Sequence, residues 1–406
     1  MSLKKTDLAV TILFIGIVGL LILSPYIHLP RFLISKEAHY VQTLEEHCGN
    51  RPTQYNCLEP FVTETIRTEG LDAGLEMIKA WYLHTPEFRQ FCDAFTRYVG
   101  VAAEKKIKDY EALTYTEKSV WCNYGFYHGY MQAYMAEVQD VEKGTAFCTH
   151  IGEKLHDSAP GAQSECFRAL GYAIVLLTGA KEKDISKIAE TSVKQCRTHA
   201  KEPLDVRLCE EGVFSELGQV IATGEYGAIS KDNPLWLCDQ QQNDMQTICY
   251  ATMKWLPLIS FDIRGEDIIP GFKKIEERYS EQEIQELSKT IEQLVFTLAY
   301  NQARRGTSLP AAENYKKGTD ACAALPSMFL NQCISGFGFG LAKGGKPGEQ
   351  YHEVLAFCEE TSKIPGYPVK ECAPSSLEYL GRYYSHELFK KVCTEFETSV
   401  GTSCAN

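Results

Sequence analysis

The stretch Cys48-Gly-Asn-Arg-Pro-Thr-Gln-Tyr-Asn-Cys57 encloses a loop sequence between two cysteines, and it is the first of eight such pairs. All sixteen cysteines fall into successive pairs 9 to 30 positions apart: Cys48/Cys57, Cys92/Cys122, Cys148/Cys166, Cys196/Cys209, Cys238/Cys249, Cys322/Cys333, Cys358/Cys372 and Cys393/Cys404. Because thiols stay oxidised only outside the reducing cytosol, this pattern predicts eight local disulfides in an extracytoplasmic protein. The chain contains no Cys-x-x-Cys spacing, so we expect neither a metal site nor a cofactor.

The cysteine pairs also define a period. The second members Cys122, Cys166, Cys209, Cys249, Cys333 and Cys372 follow one another at 44, 43, 40, 84 and 39 residues. We use the second cysteine of each pair as the marker of its unit. Since 84 is twice 42, one unit lacks its pair of cysteines, and the same period places the marker position of that unit at Leu294. The loss of both cysteines from one unit is what pairing within units predicts.

The residues that follow each marker indicate a helix. A small or short residue comes three positions after the marker, as in Gly125 and Gly212, and an apolar residue follows it in most units. These offsets lie on one helical face. Glycine costs about 1 kcal/mol in a helix relative to alanine, so its recurrence predicts a close neighbouring helix. We therefore expect an all-α fold in which helical hairpins of about 42 residues stack as a disulfide-stapled α-solenoid.

One passage carries a family resemblance. Cys166-Phe-Arg-Ala-Leu-Gly-Tyr-Ala173, followed by Thr178-Gly179, resembles the core and trailing glycine of a cysteine-stapled Sel1-like repeat of the TPR superfamily. The period here is near 42 residues, longer than the Sel1-like unit. Over residues 122–404, the resemblance implies an extracytoplasmic α-solenoid that binds proteins or peptides along a concave face.

The N-terminus indicates how the chain is anchored. Lys4 and Lys5 precede the uncharged apolar run 8–23, which Tyr26 extends toward the length that a bilayer core requires. A cleaved signal peptide is the alternative, but prolines at 25 and 30 and the lack of a small-x-small site favour an uncleaved anchor. The two lysines favour a cytoplasmic N-terminus, with the bulk of the chain extracytoplasmic.

These observations divide the chain into four parts. They are a cytoplasmic stub and transmembrane signal-anchor (1–30), N-terminal stapled repeats (31–255), a Cys-less irregular section or hinge (256–290) and C-terminal repeats (291–406). A degenerate unit with a longer loop is the alternative for the third part.

Charge and tyrosine content bear on the partner. The net charge of -12 makes the protein a poor ligand for phosphate backbones, so we expect no nucleic acid. Tyr127, Tyr130 and Tyr134 recur at helical spacing around His128 and form a candidate interaction surface. Core packing is the alternative for the tyrosines, and a ligand or catalytic role is the alternative for the histidine.

No pattern of catalytic residues stands out. Adjacent carboxylates occur at Glu210-Glu211 and Glu359-Glu360, but neighbours on a helix point about 100° apart and rarely form an acid/base couple. We expect no catalytic site and predict a membrane-anchored scaffold or adaptor with a protein or peptide partner. The alternatives are an α/α-toroid enzyme of the carbohydrate-processing type that uses paired carboxylates, and a structural envelope component. Ring closure would favour the enzyme over an open superhelix.

Overall fold

The computed structural model describes residues 35–48, 55–85, 88, 92–224, 233–242, 244–253, 256, 269–288, 290–292, 294–295, 311–345, 348–402 and 404. Over these residues the protein is all-helical and contains no β-strand, which confirms the predicted fold class. No helix in this part of the chain is long and apolar enough to cross a membrane. The predicted anchor, within residues 1–30, lies outside the described residues.

The helices are numbered here in chain order. The first nine are α1 (Lys36–Cys48), α2 (Tyr55–Glu69), α3 (Leu71–His84), α4 (Cys92–Lys106), α5 (Gly125–Val138), α6 (Val141–Leu155), α7 (Ala162–Gly179), α8 (Ile185–His199) and α9 (Pro203–Ala222). The others are α10 (Trp236–Asp239), α11 (Asp244–Thr252), α12 (Ile269–Arg278), α13 (Glu281–Glu286), α14 (Ala311–Ala323), α15 (Leu330–Gly344), α16 (Gln350–Ser362), α17 (Pro374–Tyr383) and α18 (His386–Val400).

Local sequence explains several helix starts. Asp140 and Asp184 accept hydrogen bonds from the first backbone amides of α6 and α8, which have no partner within the helix. Pro203 stands at the first position of α9, where a missing N–H costs nothing and the fixed φ suits a helix. Both devices fix where a helix begins after a short connection.

The eight predicted cysteine pairs are confirmed as disulfides. Their Cα–Cα distances of 5.2 to 5.8 Å are typical of disulfides, and no free cysteine occurs among the described residues. Cys148–Cys166 joins α6 to α7, and Cys196–Cys209 joins α8 to α9. The staples therefore fasten consecutive helices, as pairing within units predicts.

One series of helices packs side by side through the N-terminal set, with other helices behind it. In this set, α4, α5, α7, α9 and α11 contact one another in that order, while α6 packs on α7 and α8 packs on α7 and α9. In the C-terminal set, α15 packs on α17, with α14 and α16 behind them. This arrangement forms an inner layer of helices and an outer layer in which α6, α8, α14 and α16 are the hairpin partners of inner helices.

Glycine brings the inner helices close together. A Cβ atom at Gly129 would overlap the carbonyl oxygen of Arg97, and a Cβ atom at Gly212 would overlap that of Arg168. Gly212 lies three positions after Cys209, on the helical face for which the sequence predicts close approach, and Gly129, seven positions after Cys122, lies on the corresponding face of α5. The prediction is confirmed at these two positions. Only the absence of a side chain permits the backbones to approach this closely.

The Cys-less section is more helical than the sequence suggests, since α12 and α13 occupy much of it. Thr290 donates a hydrogen bond to the carbonyl of Tyr250 at 2.6 Å, and Phe272 contacts Phe329 with ring centroids 5.2 Å apart. The section thus contacts helices on both sides of it. Residues 257–268 and most of the unit around Leu294 lie outside the described residues, so the 42-residue period stays a prediction.

The C-terminal helices fold back onto the N-terminal ones. Tyr82 on α3 donates a hydrogen bond to the carbonyl of Gly345 at 3.2 Å, and Arg207 on α9 pairs with Glu378 on α17 at 3.0 Å. The described helices therefore do not form one open stack. The returning contacts come from α17 and from Gly345, which follows α15, and they reach α9 and α3 of the N-terminal set.

Candidate functional site

The predicted tyrosine surface is buried. Tyr127, His128, Tyr130 and Tyr134 expose only 1%, 5%, 0% and 7% of their surface. The hydroxyl of Tyr127 hydrogen-bonds that of Ser119, and the hydroxyl of Tyr130 donates to the carbonyl of Ile107, both at 2.6 Å. Because the phenol groups are satisfied inside the protein, these tyrosines pack in the core. The expectation of an exposed aromatic stripe is wrong.

His128 nevertheless belongs to a group of charged and aromatic residues that lies between the inner helices. We call it the inner polar cluster. Its members are Asp93 and Arg97 on α4, His128 on α5, Glu165, Arg168 and Tyr172 on α7, Glu211 on α9 and Tyr383 on α17.

Glu165 lies at the centre of the cluster and is almost fully buried. Its carboxylate oxygens lie 3.3 Å from Nε of Arg168 and 3.5 Å from Nε2 of His128, and it accepts a hydrogen bond from the hydroxyl of Tyr383. Burial alone would raise the pKa of Glu165, but Arg168, His128 and Tyr383 outweigh burial and hold the pKa well below its ordinary value. The carboxylate is therefore ionised, and groups from three helices share its charge.

Arg168 extends the cluster toward α9. Its guanidinium contacts Glu211 at 2.7 Å, and Arg207 approaches the same carboxylate at 3.2 Å. The neighbouring Glu210 turns the other way, where it is buried against Arg197 at 2.6 Å. The Glu210-Glu211 pair thus points in two directions and forms no couple, as helical geometry predicts. Glu359-Glu360 likewise shows no shared partner, since Glu360 pairs with Lys363.

Aromatic contacts complete the cluster around His128. The ring of Tyr172 lies edge-on to the imidazole at 5.5 Å between centroids, and the guanidinium of Arg97 lies 5.2 Å from the same tyrosine ring. Burial is the largest effect on His128 and lowers its pKa, and Arg97 adds to that effect while Glu165 opposes it. Neither ring nitrogen has a hydrogen-bond partner of ordinary geometry among the described residues.

The chain enters α5 beside the cluster in a strained conformation. Cys122, Asn123 and Tyr124 have positive φ values of 63°, 56° and 60°, a conformation that disfavours residues other than glycine. Asn123 accepts a hydrogen bond from Tyr379 at 3.4 Å, and the ring of Tyr124 lies 5.3 Å from that of Tyr383. Together with the Cys92–Cys122 disulfide, the contacts from α17 hold this turn.

In chemical terms the cluster is a network of buried and half-buried ion pairs. Burial, and next the charge of Glu165, raise the pKa of Tyr383 well above its ordinary value, so the phenol stays protonated and donates. No group of residues in the described ranges could hold a metal ion. Of the predicted site residues, His128 is a member of this network.

Sequence reasoning missed Glu165, Arg168 and Tyr383. Glu165 and Arg168 are three residues apart, a spacing that allows an ion pair on one helical face. Their burial was not accessible from the buried face of the helix, because residues 165 and 168 point away from Cys166 by about 100° or more. Tyr383 carried no comparable signal, since its partner is 218 positions away.

Comparisons of the chain with models of protein families, with curated protein sequences and with solved structures found no match. The Sel1-like resemblance of the passage around Cys166 therefore stays a prediction.

Proposed function

We propose that this chain is a membrane-anchored helical-repeat protein that serves as an interaction scaffold or adaptor outside the cytoplasm. The observation that carries the proposal is the set of eight disulfides, most of which fasten one helix to the next. Such staples favour an oxidising compartment and stiffen stacked helices. A stiff helical stack presents a broad, fixed surface, which suits protein binding.

The burial of the tyrosines moves the proposed binding surface away from the inner helices. Outer helices such as α6 and α8 expose many polar side chains, among them Glu153, Glu190 and Lys194. With a net charge of -12, the protein favours a basic or neutral partner over an acidic one. We therefore place partner binding on the outer layer, with the N-terminal apolar run holding the protein at the membrane.

An enzyme of the α/α-toroid type would need two carboxylates that face a substrate. In the inner polar cluster, Glu165 and Glu211 both form ion pairs with Arg168, so both carboxylates already have a counter-charge within the fold. This arrangement gives the enzyme alternative no particular support, and the scaffold has the stronger case.

Site-specific photocrosslinking in intact membranes tests the proposal. A photoactivatable amino acid replaces one exposed residue at a time, for example Thr149 on α6, Lys194 on α8 or Lys391 on α18. A scaffold that binds a specific partner forms an adduct of one mass at some of these positions and not at others. The identified partner, once purified, should then bind the purified protein with an affinity that falls as the salt concentration rises, because salt screens the attraction between opposite charges.

Lys391 serves as an internal control because it lies on the last helix, far along the chain from α6 and α8. Two results would count against a scaffold. The first is recovery of self-adducts alone, and the second is the same unselective set of adducts at all three positions.

A further inference from the structure

Long polar side chains contribute to the contact between the two helix sets. Tyr383 on α17 donates to Glu165 on α7, Tyr379 on α17 donates to Asn123 at 3.4 Å, and Glu378 pairs with Arg207 at 3.0 Å. The ring of Tyr383 also contacts that of Tyr124. Among the described helices, none of the C-terminal set runs along one of the N-terminal set with the close helix packing seen within each set. A junction of this kind can open at a lower cost than the helix packing within each set.

Glu165 couples this junction to His128. One carboxylate oxygen accepts the hydrogen bond of Tyr383, and the other lies 3.5 Å from Nε2 of His128. The three residues form a continuous polar chain from α17 through α7 to α5. A change in the charge of His128 therefore acts on the group that holds α17.

The surroundings of His128 disfavour a second positive charge. Arg97 and Asp93 face it from α4, Glu165 and Tyr172 face it from α7, Arg168 contacts the same oxygen of Glu165, and α17 reaches it through Tyr383 and Glu165. The imidazole is buried, and the arginines of the cluster are already paired with Asp93, Glu165 and Glu211. A protonated imidazole in this place lacks the hydration that stabilises it in water.

We propose that Tyr383, Glu165 and His128 form a pH-sensitive latch, which holds α17 against α7 at neutral pH and releases it under mildly acidic conditions. When α17 leaves, water reaches the Glu165 carboxylate and the protonated imidazole gains hydration, while Glu165, no longer bound by Tyr383, stays beside it as a counter-charge that it shares with Arg168. Only a proton is taken up, and no covalent bond changes. The latch concerns the fold itself and does not depend on the proposed scaffold function.

The direction of the pH effect follows from linkage. The pKa of His128 is lowered in the latched state, so the opened state binds the proton more readily. Latching is fully stable above the ordinary histidine pKa of about 6.5 and weakens as the pH falls below it. The pKa of Glu165 is also lowered, so its contribution is lost only at pH values below the ordinary carboxyl range. Mild acid therefore acts through His128.

Hydrogen exchange of the full chain, measured by mass spectrometry at pH 7.5 and pH 5.5, tests the latch. The readout is the protection factor of α17, that is, the intrinsic exchange rate divided by the observed rate, which removes the ordinary pH dependence of exchange. In the wild-type protein we expect the protection factor of α17 to fall by about fivefold to tenfold at the lower pH, the size that one histidine can supply. In the His128→Gln variant, which cannot take up the proton, the protection factor of α17 should be the same at both pH values.

A matched pair of variants tests the hydrogen bond across the junction. Tyr383→Phe removes the hydroxyl that donates to Glu165, whereas Tyr384→Phe removes a neighbouring hydroxyl that donates to Gln350 within the C-terminal set. At pH 7.5 we expect the exchange of α17 to rise about tenfold or more in Tyr383→Phe relative to Tyr384→Phe, since a hydrogen bond to a buried charge is lost.

Three results would overturn the latch: a protection factor of α17 that does not depend on pH, a pH step that persists in His128→Gln, or equal exchange of α17 in the two tyrosine variants. If His128→Gln fails to fold, the comparison of Tyr383→Phe with Tyr384→Phe still tests the latch.

Discussion

At the scale of single residues, the protein keeps an ionised carboxylate in its interior. Removing a charge from water costs several kcal/mol, which partners repay only where the geometry is good. Glu165 has such partners in Arg168 and Tyr383. Losing one member of a buried pair is more costly than losing the whole pair, because the remaining charge stays buried and unpaired.

Glu165→Gln should therefore lower stability by about 2 to 3 kcal/mol, with a reduced thermal unfolding midpoint, because Arg168 is left with Glu211 as its counter-charge and the Tyr383 hydroxyl loses a charged acceptor. The matched control is Glu64→Gln, which removes the same charge from the exposed pair with Arg67 on α2. The control should unfold like the parent, since exposed ion pairs contribute little. Equal midpoints for Glu165→Gln and the parent would show that the inner polar cluster does not stabilise the fold.

At this scale, the sequence correctly predicts which cysteines pair, but it does not predict whether the tyrosines are exposed or buried. The cysteine spacing is a local signal, and all eight pairs form as predicted. Tyr127, Tyr130 and Tyr134 follow a helical period that suits either an exposed stripe or a core. The deciding factor is where their hydroxyls find partners, such as Ser119 or the carbonyl of Ile107, and spacing alone does not reveal it.

At the scale of helices, the close approach of α4 and α5 depends on glycine. Gly100 on α4 faces the backbone of Phe126, and Gly129 on α5 faces the carbonyl of Arg97. Recurrent glycine on one helical face therefore gave a correct prediction of helix packing. The lengths of the helices and the helices α12 and α13 were less accessible, because no cysteine pair marks the section that contains α12 and α13.

Two glycine variants test this packing with the same chemical change. Gly129→Ala places a methyl group against the backbone of α4, and such overpacking should cost about 2 kcal/mol or more. Gly218→Ala on α9 meets only atoms of Met253 at 3.5 to 3.7 Å, an ordinary contact. It should raise stability by about 0.5 to 1 kcal/mol through the helix preference of alanine.

Denaturant unfolding of both variants, compared with the parent, provides the measurement. Equal effects of the same sign at the two positions would contradict the account of close helix packing.

At the scale of the whole molecule, the sequence predicts the local hairpins but not how the two ends of the chain meet. The period of the cysteines describes contacts between neighbouring units, which are close in sequence. The contacts of α17 with α7 and of α3 with Gly345 join residues more than 200 positions apart. Spacing patterns do not predict contacts between residues so far apart in sequence, so the contact between the C-terminal and N-terminal helices is known only from the structure.

The central claim is that each staple closes one local corner of a helical framework in an oxidising compartment. Peptide mapping without reduction tests it most directly, on protein taken from its native source with an alkylating agent present from lysis onward. The account predicts eight linked peptide pairs, from Cys48–Cys57 to Cys393–Cys404, and no alkylated cysteine among them. Alkylation of most cysteines, or links between distant hairpins, would contradict it.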